Sequence, residues 1–174
     1  YISNKIKSSL KVNDRFKFCV CGGSSPRNIY EKLSNLELSW EDVDIFLGDE
    51  RCVDPLSNES NTYMLKNSLL KNYASKAFFC EVFKNKDLND DLAKQLYLNT
   101  LKEKFDGNLP IFDLTLLGLG DDGHTASLFP YSADINEDDY IITSFGKDLK
   151  RVSLTPKIIS ASSEIAFLVT GASK

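Results

Sequence analysis

Hydrophobic and polar positions along the chain follow two patterns: short apolar runs, and longer stretches in which apolar residues recur at helical spacing. The apolar runs predict strands at residues 17–21, 42–50, 77–83, 111–120, 151–155 and 163–171. Helical spacing predicts helices over residues 24–35, 60–73 and 90–105. Because strands that alternate with helices favour parallel pairing, we predict a Rossmann-like, three-layer α/β fold, with a mostly parallel sheet and helices on both of its faces.

The residues around each predicted helix indicate how it begins and which side it buries. The first helix has a serine as its predicted N-cap and Pro26 at its first position, where the missing N–H of proline costs nothing. Ser60 or Asn61 is expected to cap the second helix. The third is amphipathic, with an apolar stripe predicted at Leu92, Leu96, Leu101 and Phe105.

Length and composition are those of one globular domain over residues 1–174. The chain is 42% hydrophobic and 26% charged, which is enough apolar material for a sizeable core. A net charge of −4 and scattered basic residues argue against nucleic acid as a partner. No apolar run approaches the roughly 18 residues of a membrane span, and the first residues lack the apolar segment of a signal peptide.

Four cysteines and a single histidine limit the cofactor chemistry. The cysteines form no Cys-x-x-Cys pair, and their spacing suits neither a zinc site nor a disulfide scaffold. We therefore expect reduced thiols, no metal ion, no cofactor, and a reducing compartment, most simply the cytoplasm.

The ends of the chain depart from the expected layers. Only three residues follow the last predicted strand, whereas a parallel sheet normally needs helices over both outer faces. We expect either a domain that is shortened at both ends or one part of a longer fused polypeptide.

The first of four unusual turns follows the strand at residues 17–21. Gly22 and Gly23 let the backbone approach a ligand closely, and N–H groups at the start of the next helix favour an anion such as phosphate. Ser24 and Ser25 complete this turn. An ordinary strand-to-helix turn with a serine cap explains the same residues, so the motif alone leaves both interpretations open.

The second turn carries three charged residues, Asp49, Glu50 and Arg51, directly after an apolar run and Gly48. A salt-bridged surface turn is the usual explanation of such a cluster. Their position at the carboxyl end of a strand, beside a glycine, also fits a site in which Arg51 holds a phosphate, a carboxylate or a developing oxyanion.

The third turn contains the only histidine, His124, behind two aspartates. Its glycines match the Gly-x-Gly-x-x-Gly pattern of dinucleotide-binding proteins, but Asp121 and Asp122 would repel a pyrophosphate there. Imidazole titrates at about pH 6.5, so a histidine next to an aspartate is able to act as general base and general acid. A surface or helix-capping histidine is the alternative.

The fourth group consists of Arg151 and Lys174, each near a predicted strand end and each able to pair with a phosphate. Simple surface solvation is the alternative for either residue. The sequence contains no Gly-x-Ser-x-Gly elbow, which argues against a serine hydrolase. What remains is a base, an arginine and an anion pocket, without a metal or a covalent nucleophile.

Together these segments resemble the 6-phosphogluconolactonase family. GGSSP resembles the family's Gly-Gly-Ser-Thr-Pro turn, and residues 43–61 resemble its Gly-Asp-Glu-Arg segment with a following Ser-Asn pair. Residues 112–130, FDLTLLGLGDDGHTASLFP, resemble the family signature almost continuously, and RVSLT and VTGASK match its last two blocks in order. The stretch between Phe129 and Arg151 is shorter than usual and lacks the proline-rich approach often found there.

The resemblance implies hydrolysis of 6-phospho-D-glucono-1,5-lactone to 6-phospho-D-gluconate in the oxidative pentose phosphate pathway. It implies that His124 is the base, that Asp122 orients it, and that Arg51 serves the carbonyl oxygen or the phosphate. It also implies that the GGSSP turn, Arg151 and Lys174 hold the phosphate. Because some family members are fused to glucose-6-phosphate dehydrogenase, that enzyme is implied as a fusion or association partner.

Two other functions stay open at this point. Glucosamine-6-phosphate deaminase shares the fold and a related Asp-Gly-His turn, but the asparagine and glutamate that follow its histidine are absent here. A non-catalytic sugar-phosphate-binding module is the third hypothesis. Such a module would keep the phosphate-binding residues and lose the histidine or its aspartate.

Overall fold

Two β-sheets and five α-helices form the part of the chain that the computed structural model describes, residues 1–85, 89–130 and 139–170. The helices are α1 (Ile2–Ser9), α2 (Arg27–Ser34), α3 (Asn61–Ser68), α4 (Asp90–Lys104) and α5 (Pro156–Ser160). The strands are β1 (Phe16–Val20), β2 (Val43–Leu47), β3 (Asp49–Arg51), β4 (Phe78–Cys80), β5 (Leu114–Gly118), β6 (Ile141–Gly146), β7 (Leu149–Leu154) and β8 (Ile165–Leu168). None of the described helices has the length and apolar composition to cross a membrane.

The central sheet has five parallel strands in the order β4-β2-β1-β5-β8. β1 and β2 pair in register from Phe16↔Val43 to Val20↔Leu47, and every residue of β2 is buried. Strands that are covered on both faces are apolar along most of their length, which explains the unbroken apolar runs of the sequence. Helices cover this sheet in a three-layer α/β arrangement, so the predicted fold class is confirmed.

The strand order reverses between β1 and β5. The chain runs outward from β1 through β2 to β4 at one edge, then returns to β5 and continues to β8 at the other edge. The connections after β1 and β5 therefore begin side by side and lead to opposite halves of the sheet. In open parallel sheets, ligands bind in the crevice that such a reversal creates, beyond the carboxyl ends of the strands.

A second sheet of three antiparallel strands, β3-β7-β6, continues from the carboxyl end of β2. Gly48 joins the two sheets, because its N–H donates to Val20 O at 3.1 Å and its carbonyl accepts from Leu154 N at 2.9 Å. The strand expected at residues 42–50 is thus two strands in two sheets. The strand expected at 151–155 does form, as part of β7, but it pairs antiparallel in the second sheet.

The sequence does not predict β6, and the reason is the turn that joins it to β7. Two-residue hairpin turns usually need glycine or asparagine where φ is positive. Lys147 and Asp148 occupy these positions here, with φ of 51° and 60°, so the usual turn residues are absent. Pairing along the full length of both strands nevertheless defines the hairpin.

The apolar stripe predicted for α4 is confirmed at Leu101 and Phe105, which are buried, and wrong at its first two leucines. Tyr97 and Leu101 are among its buried residues, whereas Leu92 and Leu96 are 51% and 36% exposed. Tyr97 takes an inward position because its hydroxyl donates to Leu47 O at 2.6 Å, which satisfies the polar atom of the ring. The predicted stripe is therefore wrong at the two leucines, since the helix turns an aromatic residue inward instead.

Two helix starts test the predicted caps. Ser60 caps α3 as expected, with its hydroxyl accepting from Tyr63 N at 3.1 Å. At α2, however, Pro26 itself is the N-cap residue and makes no side-chain capping bond. The predicted serine cap and first-position proline are therefore wrong, and no N-cap side chain occupies the N–H groups at the start of α2.

Candidate active site

A cleft lies where the loops after β1 and β5 leave the central sheet. Its lining comes from residues 21–26 after β1, from 118–120 and 124–126 after β5, and from five side chains of other elements: Asp49, Arg51, Asn61, Lys147 and Arg151. Leu168, at the end of β8, completes it. This is the crevice expected from the strand order.

The glycine turn after β1 is shaped by two different constraints. Gly23 has a φ of +87°, which only glycine adopts freely. Gly22 is required for space, because a Cβ there would lie 1.9 Å from Asn61 Oδ1. Ser24 and Ser25 follow along the cleft wall at the start of α2. Backbone N–H groups and hydroxyls at a helix start form a setting that suits an anion.

His124 lies in the loop after β5 and is paired with Asp122. The imidazole Nδ1 makes a short hydrogen bond with Asp122 Oδ1, which also accepts from His124 N at 3.3 Å. Gly120 tightens the loop by donating its N–H to His124 O at 2.7 Å. Because the carboxylate stabilises the tautomer with its proton on Nδ1, the basic lone pair is on Nε2.

The hydrogen bond with His124 lowers the pKa of Asp122 to about 2. A carboxylate that stays ionised supports positive charge on the imidazole after the ring has taken a proton. The contact is made by Asp122, the aspartate that the family resemblance implies as the residue orienting the histidine. Its catalytic role stays a prediction.

Two arginines are cross-strand neighbours in the same cleft. Arg51 of β3 pairs in register with Arg151 of β7. Like charges opposite each other in a sheet are unfavourable by themselves, and an anion bound beside both guanidinium groups would offset the repulsion. Arg51 donates through Nη1 to Glu59 O, while its buried Nε has no partner among the described residues. Arg51 and Arg151 therefore form a positively charged side of the cleft, here called the arginine wall. The Nε of Arg51 is a donor that no described residue uses.

Arg151 is 4% exposed, although guanidinium groups usually remain in solvent. Burial lowers its pKa, and the Asp49 carboxylate, 3.5 Å away, opposes that effect. Arg151 Nε donates to Gly146 O at 3.3 Å, and the guanidinium carbon lies 5.6 Å from the centroid of the Phe129 ring. The same ring contacts His124, at 4.6 Å between centroids. Phe129 thus touches both the histidine and the arginine.

Asp49 connects three parts of the cleft. Its Oδ2 accepts from Ser127 Oγ in the loop after β5 and from Arg151 Nη1 in β7. Its backbone carbonyl accepts from Asn61 Nδ2 at 2.8 Å, at the start of α3. This buried carboxylate therefore fixes the loop that carries His124 relative to the arginine wall.

Glu50 has a structural role beside the cleft. Its carboxylate joins β3 to the start of α3 by accepting from four donors: Arg51 N, Ser60 Oγ, Asn61 N and Thr62 N. Burial raises the pKa of Glu50, and the backbone donors act in the opposite direction. Asp49 and Glu50 are only 6% and 1% exposed, so an exposed, salt-bridged surface turn is the wrong interpretation of this cluster.

Cys21 lines the cleft but is poorly suited to be a nucleophile. It is 7% exposed, and burial raises the pKa of its thiol to about 11. Burial likewise raises the pKa of Cys52 to about 11 and that of Cys80 to about 12. All four cysteines are free thiols.

The structure brings together most of the residues that the sequence singles out. Seven of them line the cleft: Gly22, Gly23, Ser24, Ser25, Arg51, His124 and Arg151. Asp122 contacts the histidine, whereas Lys174 lies outside the described residues. Arg151 is inside β7 and not at a strand end, because the strand begins before the segment that the sequence predicts.

Sequence reasoning assigns no part in the cleft to three residues of this region: Asn61, Phe129 and Lys147. Asn61 belongs to a recognisable Ser-Asn pair, which was the available signal for it. Phe129 belongs to the family signature, but nothing in one sequence shows that its ring contacts two site residues. Lys147 carries no sequence signal, because its place in the cleft depends on a hairpin that the sequence does not reveal.

Among the residues that the structure describes, no three His, Cys, Asp or Glu side chains are grouped so as to hold a metal ion. The expectation of chemistry without a metal or cofactor stays a prediction, which chelation tests.

The whole chain, residues 1–174, matches the family model for glucosamine-6-phosphate isomerases/6-phosphogluconolactonase. A 6-phosphogluconolactonase of Nostoc sp. is 34% identical over 177 residues, covering 99% of this chain and 74% of the relative. A 6-phosphogluconolactonase of Helicobacter pylori is 33% identical over 172 residues, covering 96% of this chain and 72% of the relative. The chain thus spans about three quarters of the length of these relatives.

Solved structures that are similar to this chain are also 6-phosphogluconolactonases. The crystal structure of a 6-phosphogluconolactonase from Shewanella baltica matches with a TM-score of 0.83 at 28% identity, covering 95% of this chain and 72% of that one. The structure of 6-phosphogluconolactonase from Thermotoga maritima matches with a TM-score of 0.83 at 27% identity, covering 99% and 78%. Both matches extend over nearly all of this chain.

Proposed function

The chain belongs to the glucosamine-6-phosphate isomerase/6-phosphogluconolactonase family, and we propose that it hydrolyses 6-phospho-D-glucono-1,5-lactone to 6-phospho-D-gluconate in the oxidative pentose phosphate pathway. One observation carries this proposal: the His124–Asp122 pair shares a cleft with the cross-strand arginines Arg51 and Arg151. Hydrolysis of a lactone that carries a phosphate group needs a base that takes a proton from water. It also needs cationic groups that bind the phosphate and stabilise the developing oxyanion.

In the proposed mechanism, His124 Nε2 takes a proton from a water molecule while that water attacks the carbonyl carbon of the lactone. The carbonyl π electrons move to oxygen and give a tetrahedral oxyanion. When this intermediate collapses, the bond from the carbonyl carbon to the ring oxygen breaks, and the imidazolium gives its proton to that oxygen. Asp122 holds the ring and stabilises its positive charge throughout.

The phosphate of the substrate is held by the glycine turn, Arg151 and Lys174 in this proposal. The turn offers N–H groups that no N-cap side chain occupies. Arg51, whose buried Nε has no partner among the described residues, serves either the oxyanion or the phosphate. Lys174 enters from the sequence and the family motif, because it lies outside the described residues.

Deamination is the less favoured activity within the same family. The relatives and solved structures reported above are 6-phosphogluconolactonases over nearly the full length of this chain. Residues 125–129, which follow His124, contain neither the asparagine nor the glutamate that follow the histidine of the deaminase. A pure binding module would have no use for the His124–Asp122 pair.

The decisive experiment compares two substrates. Freshly generated 6-phosphogluconolactone and, separately, glucosamine 6-phosphate are incubated with the chain, and acid and ammonia release are followed. We expect acid from the lactone above its spontaneous hydrolysis and no ammonia from the amine. Ammonia release would assign the deaminase, and saturable sugar-phosphate binding by a folded chain without turnover would assign the binding module.

His124→Ala tests the proposed base. Loss of a general base typically lowers the rate about 10²- to 10⁴-fold, and we expect a loss in this range with binding of 6-phosphogluconate retained. Cooperative thermal unfolding of the variant is the control for folding. Wild-type turnover by His124→Ala would remove the histidine from the mechanism, and activity that disappears on chelation and returns with zinc would contradict the metal-free proposal.

We also propose residues 1–174 as one catalytic domain that works in the cytoplasm. The match of the family model along the chain and the four free thiols support this proposal. Association with glucose-6-phosphate dehydrogenase remains a prediction from family resemblance.

A further inference from the structure

The tip of the β6–β7 hairpin brings a lysine to the cleft. Lys147 lines the cleft together with Arg151, although its position in the sequence is remote from the glycine turn and from His124. Lys147 has no part in the proposed mechanism and belongs to none of the motifs identified in the sequence. Its amino group makes no hydrogen bond or ion pair with another described residue, and the side chain is exposed.

The backbone at this tip adopts a conformation that its residues do not favour. Lys147 and Asp148 have φ of 51° and 60°, in the left-handed region where glycine and asparagine are the usual residues. Strained backbone of this kind persists where surrounding contacts hold it and is concentrated at functional sites.

Those contacts fix the hairpin end against the cleft. Gly146 O accepts from Arg151 Nε at 3.3 Å. The Phe129 ring packs so closely on Gly146 that a Cβ there would lie 2.2 Å from the ring. The residue before Lys147 is thus tied both to the arginine wall and to the aromatic ring that contacts His124.

The charges of the cleft leave room for another cation. A phosphate monoester carries roughly −1.5 to −2 charges at neutral pH. Arg151 is already ion-paired with the buried Asp49, so one of the two guanidinium charges is balanced within the protein. An ammonium group at the mouth of the cleft therefore complements a dianion that the two arginines neutralise only in part.

We propose that Lys147 binds the phosphate of the substrate and makes the site selective for phosphorylated lactones. The inference rests on the proposed function, because it assigns a ligand to the same cleft. A flexible ammonium group acts as a point charge, so its contribution belongs to binding and is the same in ground state and transition state. Its loss raises KM and leaves kcat nearly unchanged.

The same hairpin provides a matched control. Lys150, on β7, forms an ion pair with Asp90 Oδ2 at 2.6 Å and does not line the cleft. Replacing either lysine by methionine removes one positive charge from the same hairpin. A general effect of net charge is therefore equal for Lys147→Met and Lys150→Met, and only a direct contact separates them.

The test measures kcat and KM of the wild type and both variants with 6-phosphogluconolactone and with unphosphorylated glucono-1,5-lactone. For Lys147→Met we expect a KM about 10-fold higher for the phosphorylated lactone, because a charge-assisted hydrogen bond is lost. Its kinetics with the unphosphorylated lactone should match the wild type. Lys150→Met should resemble the wild type with both substrates, and Lys147→Arg should restore most of the affinity.

Two results would overturn the inference: equal behaviour of Lys147→Met and Lys150→Met, or an equal loss by Lys147→Met with both lactones. Titration with 6-phosphogluconate by calorimetry provides a second readout and should show the same about 10-fold weakening for Lys147→Met alone. Failure of the proposed function is distinguishable, since the wild type itself would then fail to accelerate hydrolysis of the phosphorylated lactone.

Discussion

At the scale of single residues, the position of the proposed base His124 depends on Gly120, because this residue has no side chain. A Cβ on Gly120 would lie 2.1 Å from His124 Nδ1 and 2.7 Å from Asp122 Oδ1. The contact between Asp122 and His124 therefore requires glycine at position 120, where any side chain would collide with both residues. The glycine, the aspartate and the histidine of the motif depend on one another. This is why the signature segment was informative in the sequence before any contact was known.

Asp122→Asn tests orientation of the imidazole. The amide keeps the shape of the carboxylate but not its charge, so we expect a large fall in kcat with little change in KM for the lactone. Asp121→Asn removes the same charge from the adjacent position and should have a much smaller effect. Equal losses from the two variants in steady-state kinetics would indicate a shared electrostatic role and contradict orientation by Asp122.

The low pKa of Asp122 predicts the direction in which stability changes with pH. Its folded-state pKa of about 2 lies below the ordinary carboxyl value, so its contribution to stability is present above that ordinary value and is lost as pH falls through about 2. In an NMR titration of the folded protein, the Asp122 carboxylate should still be ionised at about pH 3. In His124→Ala its pKa should rise toward the ordinary range, and an unchanged low value would assign the shift to another group.

At the scale of elements, the β6–β7 hairpin shows where sequence reasoning stops. Strands β1, β2 and β5 were predictable because burial on both faces makes them apolar runs. β6 was not, since its turn at Lys147 and Asp148 contains neither glycine nor asparagine. The buried stripe of α4 was mispredicted at Leu92 and Leu96, because a buried tyrosine hydroxyl can be satisfied by a backbone carbonyl that only the fold supplies.

Gly146→Ala tests whether the hairpin positions the site through Phe129. The added methyl group would meet the ring at 2.2 Å, so the ring must shift and change its contacts with His124 and Arg151. We expect kcat/KM to fall between about 10- and 100-fold, because a displacement of about 1 Å at a catalytic site costs on the order of 10²-fold. Thermal unfolding of each variant controls for loss of fold.

A double variant makes this prediction specific. In Gly146→Ala/Phe129→Leu the smaller side chain relieves the clash, so its kcat/KM should be close to that of Phe129→Leu alone. Additive losses would mean that Gly146 acts independently of the ring.

At the scale of the whole molecule, the cleft is assembled from distant parts of one chain and from two sheets. The reversal of strand order places the loops after β1 and β5 together, which the α/β pattern made predictable. The second sheet was not predictable from the pattern, because β3 is short, charged and buried by side-chain partners. Its arginines were recognised, but their cross-strand pairing and the linking role of Asp49 were visible only in the fold.

Ligand binding should therefore stabilise the whole molecule. A ligand at 100 times its Kd adds about 2.7 kcal/mol, which corresponds to a rise in Tm of about 5–10 °C for a chain of this size. We expect such a shift with 6-phosphogluconate in differential scanning calorimetry and a much smaller one with gluconate at the same concentration. Equal shifts would show that the phosphate contributes nothing to recognition.

The burial of Cys21 has a consequence for survival under oxidative stress. Peroxides and alkylating agents react with thiolates, and a thiol whose pKa is about 11 is ionised to only about one part in 10⁴ at pH 7. The Cys21 thiol in the cleft is thus unreactive toward these reagents. Exposure to oxidants that inactivate enzymes with reactive thiols should therefore leave the activity of this chain unchanged.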